Sequence, residues 1–354
     1  MKLMKSAFFR GVIMNHASFV ASLVALVSVV VDAQAALTSK SYIQDGLLLH
    51  WDGIENVGRG QPHDSSATTW ADLSGSGLNM TIPVDSAFNA NGLVTLRAHG
   101  SGVVDGRIPE KDQKIRAAQQ AAKYTTEITY DMTTDPGDTK SVKMLILGNI
   151  DDFIGSYYFT SGNDIGFGAN HQNNGTWPQT HVRVATADRT GLRTFTCRQD
   201  LTNAIVRMYC VATDKSYSTK RNDVSYNTSL STAWKFKFNR AYTEPSGMDG
   251  IYNSVRIYGR PLSDDEIAVN NAVDRIRYCG ATVENFTLPD GWRFVTAGGD
   301  TNLEKRLSVS VKNARGGTVS LNGGEAATES WIPCEARTVR RSSGSFATSR
   351  KAYC

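Results

Sequence analysis

Residues 251–267 read IYNSVRIYGRPLSDDEI, and within this stretch the pattern changes from that of a strand to that of a helix. Val255 and Ile257 alternate with Arg256 and Tyr258, which is the period of a strand that packs one face and exposes the other to water. A short turn-forming segment containing glycine and proline follows directly. The stretch therefore predicts a core strand that leads without a long connection into a helix.

The helix start carries three signals that reinforce one another. Ser263 stands at the N-cap with Glu266 three residues later as its capping-box partner, and Leu262 and Ile267 are placed to form the hydrophobic staple. Gly280 is placed to end the helix. We predict an amphipathic helix over residues 263–279 that lies on the sandwich through one apolar face, formed by Val269, Ala272, Val273 and Ile276.

The acidic cluster at this helix start has two readings. Asp264, Asp265 and Glu266 fall in the first turn, where the helix dipole favours negative charge. The alternative is a metal site. Since Glu266 already has a capping role, we interpret the cluster as a cap.

Most of the remaining chain consists of short strand-like runs separated by turn residues. The runs are rich in β-branched and aromatic residues and lie at 46–51, 92–97, 124–132, 141–148, 155–160, 181–186, 192–197, 204–211, 234–238 and 251–258. The segment 109–124 differs, because good helix formers predict a short surface helix there. This pattern predicts an all-β fold, a two-sheet antiparallel jelly-roll sandwich with a C-terminal capping helix and a small β-rich tail.

The N-terminus has the features of a secretory signal. A basic start is followed by the apolar run 17–31 and by the small residues Ala33 and Ala35. We predict a removed signal peptide over 1–35, the alternative being an uncleaved anchor, and a secreted or cell-envelope location for a mature chain without a transmembrane segment. The near balance of 38 Lys+Arg against 34 Asp+Glu gives no electrostatic case for nucleic acid.

Five cysteines are present, and an odd number in an exported protein leaves at least one without an intramolecular partner. Cys197 and Cys210 flank a predicted hairpin, so a disulfide between them and two free thiols are both open at this point. Five of the six histidines lie beyond the predicted signal peptide, and we interpret each of these as a loop or surface residue: His50, His63, His99, His171 and His181.

Two separated stretches resemble one family. DGLLLHWDGIENVGRGQPHDSSATTWADLSGSGLNMTI, residues 45–82, resembles the opening of laminin-G-like, concanavalin A-like jelly-roll domains of bacterial exported proteins. IYNSVRIYGRPLSDDEIAVN resembles the ending of the same domains. The resemblance implies a sandwich domain over 36–280 whose relatives mostly bind carbohydrate or surface proteins, in some cases with calcium. It places Trp51 and Trp70 in framing motifs, where we expect them in the core.

Beyond residue 280 the composition changes. Residues 281–335 predict a small β-module or a linker, and their similarity to internalin-type repeats makes a truncated repeat a further alternative. Residues 336–354 form a basic tail with almost no packing material, for which we predict disorder.

A search for catalytic chemistry gives little. Sandwich glycanases take their carboxylates from one strand as E-x-D-x-x-E, and the nearest match has Glu110 and Asp112 but Ile115 at the third position. The chain also lacks the G-x-S-x-G and H-E-x-x-H motifs. We therefore predict no enzymatic activity, and we keep a glycan-active hydrolase of the same architecture as the alternative.

Binding residues are concentrated in one segment. The stretch 161–177, which we interpret as a loop, combines aromatic faces with short polar groups, as sugar recognition requires. The candidate ligand-binding residues are Tyr157, Tyr158, Asp164, Asn170, His171, Asn173 and Trp177. The predicted function is an exported, non-catalytic binding or adhesion module for carbohydrate or a surface partner, with calcium as the one open cofactor; a purely structural envelope module is a further alternative.

Overall fold

The computed structural model describes residues 37–82, 86–95, 113–133, 142–148, 153–161, 164–170, 179–223, 235–241, 249–283, 286–297, 300–308, 319–321, 329–333 and 339–341. The predicted signal peptide 1–35, the tail beyond residue 341, Cys334 and Cys354 lie outside these residues. So do Glu110, Asp112, His99 and His171.

Strands dominate the described residues, which confirms the all-β prediction. Two helices are present, α1 at Gln113–Gln120 and α2 at Asp264–Cys279. The strands are β1 Leu47–Asp52, β2 Thr69–Trp70, β3 Met80–Thr81, β4 Ala87–Asn89, β5 Gly92–Thr95, β6 Lys123–Met132, β7 Val142–Gly148, β8 Phe153–Ser161, β9 Asp164–Asn170, β10 Gln179–Arg183, β11 Gly191–Asp200, β12 Asn203–Cys210, β13 Lys215–Arg221, β14 Lys235–Ala241, β15 Gly250–Tyr258, β16 Trp292–Ala297, β17 Asp300–Ser308, β18 Val319–Leu321, β19 Glu329–Pro333 and β20 Val339–Arg341.

The larger sheet is antiparallel and runs in the order β13-β12-β11-β6-β15-β5-β4. β15 pairs with β6 along one edge, and its other edge is shared by β5, opposite residues 250–252, and β1, opposite residues 254–258. The strand predicted from residues 251–258 is therefore central, and both ends of the family resemblance meet on it.

The second sheet has the order β10-β9-β8-β7-β14 and faces the first across a common core. Val182 of β10 lies in one apolar cluster with Ile128, Phe195, Val206 and Val255 of the larger sheet. The two antiparallel sheets therefore form the predicted sandwich. A separate three-stranded sheet, β16-β17-β19, comes from the C-terminal part of the chain.

The helix α2 covers the outer face of the larger sheet, and this corrects one expectation about β15. Val255 and Ile257 face the core as predicted, but Arg256 and Tyr258 do not meet water, since both side chains are fully buried. A strand with a sheet core on one side and a helix on the other is buried on both faces.

The apolar residues of α2 also pack differently from the prediction. Val269 joins Ile267 in a cluster with Tyr258 of β15, as predicted, but the same cluster also contains Trp292 and Leu303 of the C-terminal sheet. Val273 packs with the N-terminal segment that precedes β1. Polar residues of the helix, Asn270 and Asp274, are buried as well. The helix thus lies on the sandwich through polar residues as well as Val269, while its apolar residues also hold the two chain segments that flank the sandwich.

The opening motif of the family resemblance is structural. Trp51 and Trp70 are buried and stack with ring centroids 5.8 Å apart. Asp72 orders the adjoining loop by accepting hydrogen bonds at 3.0 Å from the His50 and Ser74 amides. Both tryptophans are core residues, as expected.

Three local expectations change in the structure. The helix predicted over 109–124 is present but shorter, and Ile115 is a buried core residue on it. His50 is fully buried, not a loop or surface residue. The interpretation of 161–177 as one loop is wrong, because residues 164–170 form strand β9, with Asp164 paired to Ser161 of β8.

No disulfide joins Cys197 to Cys210. Cys197 on β11 pairs with Val206, and Cys210 lies four residues further along β12. At about 3.3 Å per residue the two cysteines are about 13 Å apart along the sheet, beyond the reach of a disulfide. Both are free, as is the exposed Cys279.

Candidate functional site

The residues that join α2 to the larger sheet form a buried ionic network. Arg256 donates to Glu127 at 3.0 Å and to both carboxylate oxygens of Asp274 at 3.0 and 2.9 Å. Asn270 adds a hydrogen bond of 2.7 Å to Glu127. Burial raises the pKa of Glu127, and the nearby Asp274 raises it further, while Arg256 opposes both effects.

This network holds two carboxylates close to one arginine, but no substrate can reach them. The side chains of Glu127, Asp274 and Arg256 are all fully buried. Hydrolysis by a carboxylate pair needs both groups beside the scissile bond. The network therefore connects helix and sheet and is not a catalytic site.

The acidic helix start is a cap, as predicted. The Glu266 amide donates to Ser263 Oγ at 3.2 Å, and the Ser263 amide donates to Glu266 Oε2 at 2.7 Å. Glu266 also receives two hydrogen bonds from Arg260, at 2.9 and 2.7 Å. Asp264 is largely exposed and pairs with Arg198 at 3.0 Å. Glu266 and Asp264 are thus both engaged in contacts within the protein itself.

An open cavity of about 640 Å³ lies beside α2, and we call it the α2 cavity. One wall is the helix, a second is the β12–β13 hairpin, and the third is the segment 286–289. The lining residues are Arg207, Tyr209, Asp214, Ser216, Ala268, Asn271, Ala272, Arg275, Phe286, Thr287, Leu288 and Pro289. Ala268 and Ala272, one helical turn apart, leave the space because their side chains are small.

The polar groups of the α2 cavity come from different walls. Asn271 is 6% exposed, and its Oδ1 is buried without a hydrogen-bond partner. A buried acceptor left unpaired costs free energy, so this oxygen favours a ligand that donates to it. Tyr209 donates to Asp214, and its pKa is raised chiefly by burial, so the phenol remains a neutral donor.

Two arginines extend along the cavity from opposite sides. Arg275 of the helix lies over the Phe286 ring, 4.9 Å from its centroid, and meets Asp214 at 3.3 Å. Arg207 of β12 meets Asp264 at 3.5 Å. Cation–π and ion-pair contacts of this kind hold a guanidinium in place at the edge of a site.

Among the binding residues that the sequence grouped, the structure separates Asp164 from Asn170. Asp164 and Asn170 lie at opposite ends of β9, about 20 Å apart at the usual strand rise. Tyr157 and Tyr158 pair with Gly168 and Phe167 in the same sheet. His171, Asn173 and Trp177 fall outside the described residues, and the placement of the side chains of Tyr157, Tyr158, Asp164 and Asn170 is not described.

The α2 cavity was not predicted from the sequence. Its residues come from three separated segments with no shared motif. The signal that could have found it is the pair of alanines on a helix otherwise rich in large residues.

Two further searches concern metals and membranes. Within the described part of the chain, no three His, Cys, Asp or Glu side chains converge as a metal site. Neither described helix is long and apolar enough to span a membrane.

No protein-family model and no curated protein matches the chain. Among solved structures, the CBM40 of the Ruminococcus gnavus IT-sialidase bound to α2,3-sialyllactose is 16% identical, with a TM-score of 0.37 over 51% of this chain and 95% of that one. The Trypanosoma rangeli sialidase in complex with sialic acid is 14% identical, with a TM-score of 0.45 over 64% of this chain and 32% of that one. Identities and TM-scores this low do not assign a function to this chain.

Proposed function

We propose that this protein is a non-catalytic carbohydrate-binding module and that the α2 cavity is its binding site. The observation that carries the proposal is Asn271, which lines an open cavity of about 640 Å³ and whose buried Oδ1 has no hydrogen-bond partner. That volume lies within the range of ordinary small-molecule sites.

The cavity has both kinds of surface that a sugar needs. Tyr209, Ser216 and Asn271 offer hydroxyl and amide groups for hydroxyl recognition. Phe286 presents an aromatic ring, and Leu288 adds an apolar surface beside it. Aromatic rings pack against the apolar side of a pyranose while polar groups fix its orientation.

The lining residues favour binding over hydrolysis. Asp214 is the one carboxylate among them. Hydrolysis of a glycosidic bond by the usual mechanism uses two carboxyl groups, which lie about 5 Å apart in retaining enzymes and further apart in inverting enzymes. A glycan held here would therefore be bound without being cleaved.

The sequence-predicted residues provide a second candidate location for the same function. Asn170 ends β9, and the connection 171–178 to β10 contains His171, Asn173 and Trp177. The family resemblance implies calcium in some relatives, and a calcium-assisted site in this segment belongs to the same alternative. Export, through removal of residues 1–35, would bring either site to glycans outside the cell or in its envelope.

A glycan array tests the proposal. The mature wild-type chain, Asn271→Leu and Asn170→Ala are compared with and without calcium, and Asn222→Leu, an exposed position outside the cavity, is the matched control for the first substitution. We expect binding by wild type, Asn170→Ala and the control, and a loss with Asn271→Leu.

Two results would count against this account. Absence of any bound glycan, with and without calcium, overturns the carbohydrate-binding proposal and favours a structural module. Loss with Asn170→Ala but not with Asn271→Leu overturns the cavity as the site and moves it to the end of β9.

A further inference from the structure

The charges of the α2 cavity indicate more than a neutral sugar site. Its charged lining residues are Arg207, Arg275 and Asp214, so cations exceed anions. The two arginines stand on different walls, β12 and α2. A ligand in the cavity therefore lies between two guanidinium groups.

Both arginines are held in place before any ligand binds. The side chains of Arg207 and Arg275 are 24% and 23% exposed. Arg275 lies over the Phe286 ring, and about three quarters of each arginine side chain is covered by neighbouring residues. A pre-positioned guanidinium loses little conformational freedom when it binds, and its fork of donors matches a carboxylate.

The aspartates that now meet these arginines can be replaced. The side chains of Asp214 and Asp264 are 66% and 64% exposed. Exposed ion pairs contribute little to stability. A ligand carboxylate can thus take the position of either aspartate while that aspartate turns to water.

We infer that the ligand of the α2 cavity is a carboxylate-bearing sugar, with its carboxylate on Arg207 or on Arg275 and its hydroxyls on Asn271 and Tyr209. The inference rests on the proposed function, since it names the class of glycan that the same site takes. Two kinds of sugar share this chemistry, a hexuronic acid and a sialic acid.

Calorimetric titration of the mature chain tests the inference with matched pairs of probes. Sialyllactose is compared with its methyl ester, and trigalacturonic acid with its methyl ester, so that the members of each pair differ in the charge of the carboxyl group. We expect one acidic member to bind at least tenfold more tightly than its neutral partner, and which pair shows the difference identifies the kind of sugar.

Variants then assign the effect to one of the two arginines. Because one hydrogen bond to a charged group contributes about 1.5–3 kcal/mol, glutamine in place of the arginine that holds the carboxylate, Arg207→Gln or Arg275→Gln, should weaken the acidic probe by about tenfold to a hundredfold. The same substitution should weaken the neutral probe by a smaller factor than the acidic one. Arg221→Gln is the control, because that arginine lies on the same hairpin and pairs with Asp223 outside the cavity.

The outcomes separate this inference from the proposed function. Equal affinity for the acidic and neutral probes, or acidic binding unchanged in both arginine variants, overturns the inference, while Asn271-dependent binding of neutral glycans keeps the proposed function. If an arginine variant fails to fold, as judged by its urea unfolding, the corresponding Arg→Met variant, which keeps an unbranched side chain of similar length without the charge, takes its place.

Discussion

Asp274 is the residue through which α2 is most strongly attached to the sandwich. One carboxylate oxygen accepts hydrogen bonds from Tyr42 at 2.8 Å and from Arg256 at 3.0 Å. The other accepts from Thr129, Thr194 and Arg256, each at 2.9 Å. The substitution Asp274→Ala removes five hydrogen bonds at once.

The expected cost follows from what the substitution leaves behind. Arg256 remains fully buried, with Glu127 as the one carboxylate still paired to it. Breaking a buried ion pair by removing one partner costs about 3–5 kcal/mol, because an incompletely compensated charge stays in the interior. The matched control is Asp264→Ala at the exposed start of the same helix, which should cost less than about 1 kcal/mol.

Urea unfolding measures both values. With an m-value of about 2 kcal/mol/M, a loss of about 4 kcal/mol lowers the midpoint by about 2 M, while the control shifts it by less than about 0.5 M. If Asp274→Ala cost no more than Asp264→Ala, the polar side of α2 would not be what fixes it to the sheet.

Three further predictions concern the same region and the cysteines. Ser263→Ala should lower the free energy of unfolding in urea by about 1 kcal/mol and leave glycan binding unchanged, and an unaltered stability would contradict the capping role. Burial alone would raise the pKa of Glu266, but Arg260 and the Ser263 amide hold it below its ordinary value of 4.5. The native state therefore binds this proton less readily than the unfolded chain, and its stabilising contribution is lost as the pH falls below about 4.5; Glu266→Gln should reduce the slope of stability against pH there. Burial raises the pKa of Cys197 to about 12, and both Cys197 and Cys210 are buried free thiols. Both should therefore react with an alkylating agent once the chain is unfolded, with no reductant added, and not before. A disulfide-linked peptide in mass spectra would refute the strand register.

The helix start and the fold class could be predicted because their signals are local. Ser263, Glu266 and Gly280 act through neighbours within one or two turns, and the structure has the capping box and a left-handed Gly280 as expected. The sheets follow in the same way from short alternating runs. Local signals of this kind do not depend on what the rest of the chain does.

The polar side of α2 could not be predicted, because its meaning depends on distant partners. In a helical pattern, Asn270 and Asp274 have the polarity of solvent-facing residues. In the alternating pattern of the strand, Arg256 falls on the side that is expected to face water. Their burial follows from a mutual network between α2, β6 and β15 that no single segment contains. His50 is buried for the same kind of reason, beside Asp52 and Tyr42.

The candidate site was missed for a related reason. The composition of residues 161–177 predicted a binding loop, but composition does not distinguish a polar loop from a strand with polar ends. The α2 cavity depends on where small residues such as Ala268 and Ala272 leave space between three segments. Such a space exists only once those segments have been packed together.

The central claim is that a glycan binds in the α2 cavity. The most direct test is an NMR titration of the mature chain with a glycan selected on the array, following backbone amide shifts. We predict that the largest changes fall on the cavity residues, including Tyr209, Asn271, Arg275 and Phe286, and that they vanish in Asn271→Leu. Changes confined to residues 164–178, with the cavity amides unmoved, would contradict the account.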